Sequence, residues 1–129
     1  MTKLQRRKFV NKVDFVSSPG YLDGTPGARE RVGLPPNTGP WRVVTAEAMF
    51  GFDEHTHEMR LDALAPWTTA DEVLEKMEFR PLIANELGQM SVPAEQELNI
   101  IRADIDPGGL STGRGEWMTI DATTGKRAG

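Results

Sequence analysis

The segment that most constrains this chain is residues 41–52, WRVVTAEAMFGF. Val43, Val44, Ala46, Ala48, Met49 and Phe50 make it almost continuously apolar. That is the pattern of a strand buried on both faces rather than one. Such a strand needs material above and below it, which points to a layered α/β arrangement. A polar stretch at 53–58 follows and reads as a turn. Met59, Leu61 and Ala63 then alternate with Arg60 and Asp62, the period of a strand with one wet face. The two strands are expected to form a hairpin across 53–58. After Pro66, Thr69 and Glu72 stand at capping-box spacing, and Val73, Leu74 and Met77 follow at helical spacing. This predicts a helix over about 69–78.

The flanks are less regular. FVNKVDFV at 9–16 suggests a strand through Val10, Val13 and Phe15, ended by Ser17-Ser18-Pro19-Gly20. Residues 20–40 carry Gly20, Gly24, Gly27, Gly33 and Gly39 among Pro26, Pro35, Pro36 and Pro40. Tyr21, Leu22 and Leu34 are among the few large apolar residues there. Unstructured loops of this length are uncommon in compact domains and are usually functional or mobile. Residues 79–84 look strand-like, but Pro81 confines them to an edge or an irregular extension. Ser91 and Pro93 open a second predicted helix, with a stripe of Leu98, Ile101 and Ile105, and Asp106-Pro107-Gly108-Gly109 stops it. The expected organisation is one α/β domain over 1–110 and a flexible Gly/Thr-rich tail over 111–129, in which Trp117, Met118 and Ile120 are the residues able to dock.

Composition removes several function classes. The net charge of −4 argues against general nucleic-acid binding, although Lys3, Arg6, Arg7, Lys8 and Lys12 make the start of the chain basic. Phe9 is the only aromatic residue among them and no aromatic interleaving follows, so a solvated lead-in is the expectation. The absence of cysteine excludes disulfides, thiol nucleophiles and Cys-based zinc sites. No apolar run approaches the ~18 residues of a membrane span, and the basic start lacks an apolar signal core. A cytoplasmic location is expected, without membrane association.

Local motifs do not assemble a catalytic centre. Asp53, Glu54, His55, His57 and Glu58 contain metal-ligand chemistry. However, side chains at i and i+2 share a face only in a strand, and this segment reads as a solvated turn, so no metal is expected. Thr124-Gly125-Lys126 fails as a phosphate-binding loop, because Ile120 replaces the required glycine and Arg127 the hydroxyl residue. Ser17 and Ser18 are far in sequence from both histidines, which leaves no visible nucleophile–base pair. Two positions keep a functional alternative. Glu47 lies inside the apolar run, where a carboxylate is costly unless paired or facing an edge. Arg29 and Arg31 flank Glu30 in the long loop and have the chemistry to bind a phosphate or carboxylate, with surface ion pairing as the alternative.

Three stretches, in order, carry a family resemblance over about residues 8–110. The upstream segment FVNKVDFVSSPGYLDG is similar to the glutaconate CoA-transferase branch and its steroid-ring-cleaving relatives. The central one, through Val43, Val44, Thr45, Ala48, Met49 and Phe50, then Pro66, Thr69, Asp71, Glu72, Val73 and Phe79, resembles the C-terminal region of class I CoA-transferase B subunits. Downstream, Pro93, Glu97, Leu98, Ile101, Arg102, Ile105, Asp106 and Pro107 continue the match. Trp67 departs from it, standing where the family usually has the glycine of a Pro-Gly pair, which a positive-φ turn would require. The tail from Ser111 resembles nothing in the family.

The resemblance implies a three-layer open-sheet fragment of the CoA-transferase type, with a partly parallel sheet and the long Gly/Pro-rich loop. Family members that are transferases carry, in the N-terminal half of the subunit, a glutamate that attacks the acyl-CoA thioester and forms covalent intermediates. Some ring-cleaving relatives lack it and hydrolyse a carbon–carbon bond. No glutamate here matches that motif, so no catalytic residue is expected. Ser18, Gly20, Tyr21, Arg29 and Glu47 are the candidate substrate-binding residues. The resemblance further implies coenzyme A as a substrate rather than a cofactor. Its implied partners are a CoA-transferase A subunit, the N-terminal half of the B subunit, or both, with self-association when they are absent. The function expected is a partial B subunit of an acyl-CoA-processing enzyme that supplies scaffold and part of the acyl pocket and is inactive alone. The alternative is a non-catalytic assembly or binding protein derived from a truncated CoA-transferase gene.

Overall fold

A computed structural model of the chain describes residues 3–109 and 111. The expectations for residues 112–129, including Trp117, Met118, Ile120 and Thr124-Gly125-Lys126, lie outside those residues. The chain divides into two compact units after Met90. The first holds a mixed α/β fold built on a four-stranded open sheet in the order β1-β2-β3-β4. Its strands are β1 Val43–Val44, β2 Ala48–Phe52, β3 Met59–Leu64 and β4 Leu82–Gln89. Helix α1 spans Ala28–Arg31 and helix α2 Ala70–Glu75.

The apolar run at 43–50, read as one doubly buried strand, is a hairpin instead. Thr45 is the reason. Its buried hydroxyl accepts from the N–H groups of Ala48 at 2.9 Å and Glu47 at 3.2 Å, and donates to the Ala48 carbonyl at 2.9 Å. This local bonding competes with straight extension and folds the chain back, so that Val43 pairs with Phe50 and Val44 with Met49, antiparallel. The predicted hairpin between β2 and β3 is present. Asp53 closes its turn by accepting from the N–H groups of His55 at 2.9 Å and Thr56 at 2.8 Å.

Phe50 pairs with Leu61 and Met49 with Ala63, so Asp62 is the extra residue of a bulge in β3. Strand β4 then joins β3 in parallel, making the sheet partly parallel as expected. The required crossover is α2, whose capping box between Thr69 and Glu72 is formed as predicted. β4 is an edge strand that starts just after Pro81, and it runs beyond the residues 79–84 assigned to it. Its ladder with β3 is registered at Leu82–Ile83 and Gly88–Gln89, with a register shift between the two stretches. Trp67 does not adopt the left-handed turn that the resemblance led one to expect at this position: its φ is not positive, and the turn closes through the Thr68 N–H to the Ala65 carbonyl at 3.2 Å.

The core lies between one face of the sheet and α2. Ala48, Phe50, Leu61, Val73 and Met77 are buried together with Leu4 and Phe9. The expected strand at 9–16 does not form. Phe9 alone reaches the core, with its ring 5.9 Å from that of Phe50. Its carbonyl accepts from the Glu78 N–H at 2.8 Å, and the Asn11 amide donates to the Glu78 carbonyl at 3.2 Å. Beyond that clip Val13, Phe15 and Val16 are exposed, and with no strand alongside an alternating pattern has no ladder to join.

The second unit contains the predicted second helix, α3, over Glu95–Ile100. The Glu97 carboxylate accepts from the Ala94 N–H at 2.8 Å at its start. The helix then widens into a π-turn over Ile101–Ile105. The extra residue in that turn takes Ile105 off the expected stripe: Leu98 and Ile101 are half-buried and Ile105 is exposed.

Candidate functional site

The long loop is tied to itself by side chains. The Tyr21 hydroxyl donates to the Pro40 carbonyl at 2.7 Å, joining the loop's two ends. Arg29 donates to the Gly20 carbonyl and to Thr38 Oγ1, and Arg31 to Thr25 Oγ1 at 2.7 Å and the Pro26 carbonyl at 2.8 Å. The Tyr21 ring stacks on His57, with centroids 4.2 Å apart and planes 8° apart, and meets Phe52 edge-on at 5.3 Å. His57 completes the attachment through Nδ1, 2.9 Å from the Gly24 carbonyl. Gly39 leaves room for this arrangement, since a Cβ there would press into the Tyr21 ring.

Between this loop and the β2–β3 hairpin lies a cleft of about 560 Å³. Tyr21, Phe52 and His57 line one part of it, and Trp41, Arg42 and Arg60 another. Arg60 Nε donates to Asp62 Oδ1 at 2.6 Å, and Arg42 Nη1 lies 3.5 Å from Asp62 Oδ2. The three side chains cross the sheet over Gly51, where a Cβ would overlap both Asp62 and Arg42. The bond to Asp62 holds the Arg60 guanidinium above its ordinary pKa. The Thr56 and His55 N–H groups hold Asp53 below the usual carboxylate range. Both remain charged at neutral pH.

Of the sequence-derived candidates, Tyr21 and Arg29 line the cleft, and Gly20 borders the loop end through its carbonyl. Arg29 and Arg31 spend donors on their own loop rather than on an ion pair with Glu30. Ser18 is exposed and is not part of the cleft. Glu47 sits in the tight turn before β2, paired with Lys76 Nζ at 2.6 Å, which satisfies its carboxylate without a ligand. Among the described residues no group of His, Cys, Asp and Glu is placed to hold a metal, and no helix is long and apolar enough to cross a membrane. The sequence reading passed over Arg42, Gly51, Arg60 and Asp62. The signals were a glycine inside a strand and two opposite charges at i and i+2 on the wet face of β3.

No family model matches the chain. The B subunit of glutaconate CoA-transferase from Acidaminococcus fermentans is 42% identical over 108 residues, covering 84% of this chain and 40% of that protein. The cholesterol ring-cleaving hydrolase IpdB subunit of Mycobacterium bovis is 34% identical over 81% of this chain and 40% of that protein. The crystal structure of the Acidaminococcus fermentans glutaconate coenzyme A-transferase superposes with a TM-score of 0.76 at 41% identity, over 84% of this chain and 41% of the other. The fold, the sheet and the sequence thus agree, and this chain is a homologue of the CoA-transferase B subunits, spanning about 40% of their length.

Proposed function

We propose that these residues are a partial B subunit of an acyl-CoA-processing enzyme of the CoA-transferase family. They supply scaffold and, through the loop–hairpin cleft, part of the acyl pocket. The nucleophile comes from outside the matched residues, and an A-type subunit completes the enzyme. The observation that carries this reading is the pairing of a formed cleft with homology to B subunits in a segment where, among the described residues, no serine or threonine hydroxyl is bonded to a histidine. The same lack favours a second reading, a non-catalytic assembly or binding protein of CoA-transferase descent. A chimera separates the two. Residues 8–109 replace the homologous stretch of the Acidaminococcus fermentans B subunit, and the product is expressed with its A subunit. Assembly and acyl transfer between CoA thioesters are expected, whereas this chain alone should give background turnover. A folded chimera that assembles but does not transfer would favour the binding-protein reading. One that does not assemble would overturn the subunit assignment.

A further inference from the structure

The cleft holds an unsaturated pair of guanidinium groups. Asp62, with its side chain 13% exposed, is the single carboxylate within ion-pair distance of Arg42 and Arg60 among the described residues, so it is shared between two guanidinium groups. Arg60 spends only Nε on it, and its two terminal nitrogens have no hydrogen-bond partner among the described residues. Arg42 has a long bond to the Trp41 carbonyl at 3.3 Å and the 3.5 Å approach to Asp62 Oδ2, an oxygen that is buried without a hydrogen bond. Both side chains are about two-thirds buried, at 31% and 32% exposure. A guanidinium carries five donors in a fixed fork suited to two oxygens of one anion.

Three features indicate that this pair is built rather than incidental. The bulge in β3 turns Asp62 out of the ladder so that it bridges both arginines. Gly51 provides the floor they rest on. The Trp41 ring, itself exposed, lies 5.1 Å from the Arg42 guanidinium, within cation–π distance. None of the other carboxylates lining the cleft is bonded to either arginine: Asp53 Oδ1 is engaged by its own turn, and Glu30 and Glu54 are exposed to solvent. Tyr21, Phe52 and His57 form an aromatic patch in a lining that is otherwise largely polar, with Thr25, Arg29, Asn37 and Thr38 beside it.

We infer that Arg42 and Arg60 form a clamp for an oxyanion, a carboxylate or phosphate, carried on a flat apolar body that lies against the Tyr21–Phe52–His57 patch. Asp62 acts as the positioning residue that converges the two forks. The inference rests on reading the cleft as a substrate surface, and it adds the charge and shape of what enters.

The test titrates the full chain with benzoate, phenyl phosphate, benzamide and inorganic phosphate. The readouts are the arginine Nε–Hε resonances and tryptophan fluorescence. Benzoate, phenyl phosphate or both should saturate the Arg42 and Arg60 signals, and the tighter of the two identifies the head group. Benzamide, without the charge, and inorganic phosphate, without the body, should bind at least about tenfold more weakly. Arg60→Gln and Arg42→Gln should each weaken organic-anion binding about tenfold, with melting curves to confirm folding. Should either fail to fold, Arg42→Lys keeps the charge but loses the fork, and should bind several-fold more weakly. The clamp is refuted by equal binding of benzamide and benzoate, by equal binding of inorganic phosphate and phenyl phosphate, or by unchanged binding in folded variants. It is equally refuted by no saturable shift up to about 50 mM of either organic anion, a weak-binding limit for a pair of charged bonds. Anion binding alongside a chimera that does not assemble would leave the clamp standing and break only the family role. An active chimera without anion binding would do the reverse.

Discussion

The loop at 20–40 and strand β4 make opposite use of the backbone. The loop has one four-residue helix and otherwise no regular structure, yet Tyr21, Arg29 and Arg31 tie its ends and middle together. Through His57 it is attached to the hairpin. β4 belongs to the sheet, yet its ladder with β3 carries a register shift, and Leu82, Ile83 and Leu87 are exposed. Membership of a sheet therefore does not make a segment well held. Side-chain contacts decide that, because they determine how much backbone can open without exposing apolar surface.

The comparison is broken most strongly at Tyr21. Tyr21→Ala removes the stack on His57, the edge contact with Phe52 and the bond to Pro40 together, and should cost about 2–3 kcal/mol. Tyr21→Phe, which loses only the hydroxyl bond, should cost about 1 kcal/mol. Denaturant unfolding gives the total. Hydrogen exchange at the Leu22 and Gly24 N–H groups, bonded at 2.9 and 3.0 Å within the loop, shows whether the loss is local. A Tyr21→Ala protein as stable and as protected as the parent would mean that the ring does not hold the loop.

β4 sharpens the contrast from the other side. Ile83→Lys should change stability by no more than about 0.5 kcal/mol, because the side chain is exposed. It should instead reduce association. An unpaired edge bearing apolar side chains recruits other strands, and a lysine there discourages this. Sedimentation across a concentration series should show self-association of the parent chain and a shift toward monomer in the variant. A parent that sediments as a concentration-independent monomer would remove the argument.

The smallest effect expected is that of acid. Asp53 closes the turn that carries His57, and Glu72 caps α2. Both carboxyls lie below their ordinary pKa in the folded chain, Asp53 through the Thr56 and His55 N–H groups and Glu72 through the Thr69 N–H. A lowered folded pKa means that the stabilisation is complete above the unfolded value and is lost as pH falls through the folded one. The turn closed by Asp53 and the start of α2 should loosen only as pH falls below the usual carboxylate range. Exchange at the His57 and Val73 N–H groups reports the two separately; loosening that set in near neutral pH would contradict the assignment.

Much of the fold was determined by the sequence alone, because its signals are local. The capping box at Thr69 and Glu72, the alternation through Met59, Leu61 and Ala63, and the restriction imposed by Pro81 each act within a few residues, and the elements they predict are present. The resemblance added the homology to CoA-transferase B subunits, since 42% identity over 108 residues to one of them reflects a pattern spread along the chain. What only the tertiary structure decided depends on partners distant in sequence. The hydrophobicity of 43–50 is equally compatible with one buried strand or two folded together, and the Thr45 hydroxyl chose the hairpin. Phe9 became core and Phe15 surface in one alternating run because a single clip to Glu78 ends the contact. Glu47 had both a functional and a solvent-facing reading in the sequence, and the fold sets Lys76 Nζ 2.6 Å from it; Arg42 and Arg60 looked ordinary until a bulge placed Asp62 between them over a glycine. Residue identity specifies what a side chain is able to bond, and only the folded chain determines which partners come within about 3 Å, the distance at which that chemistry operates.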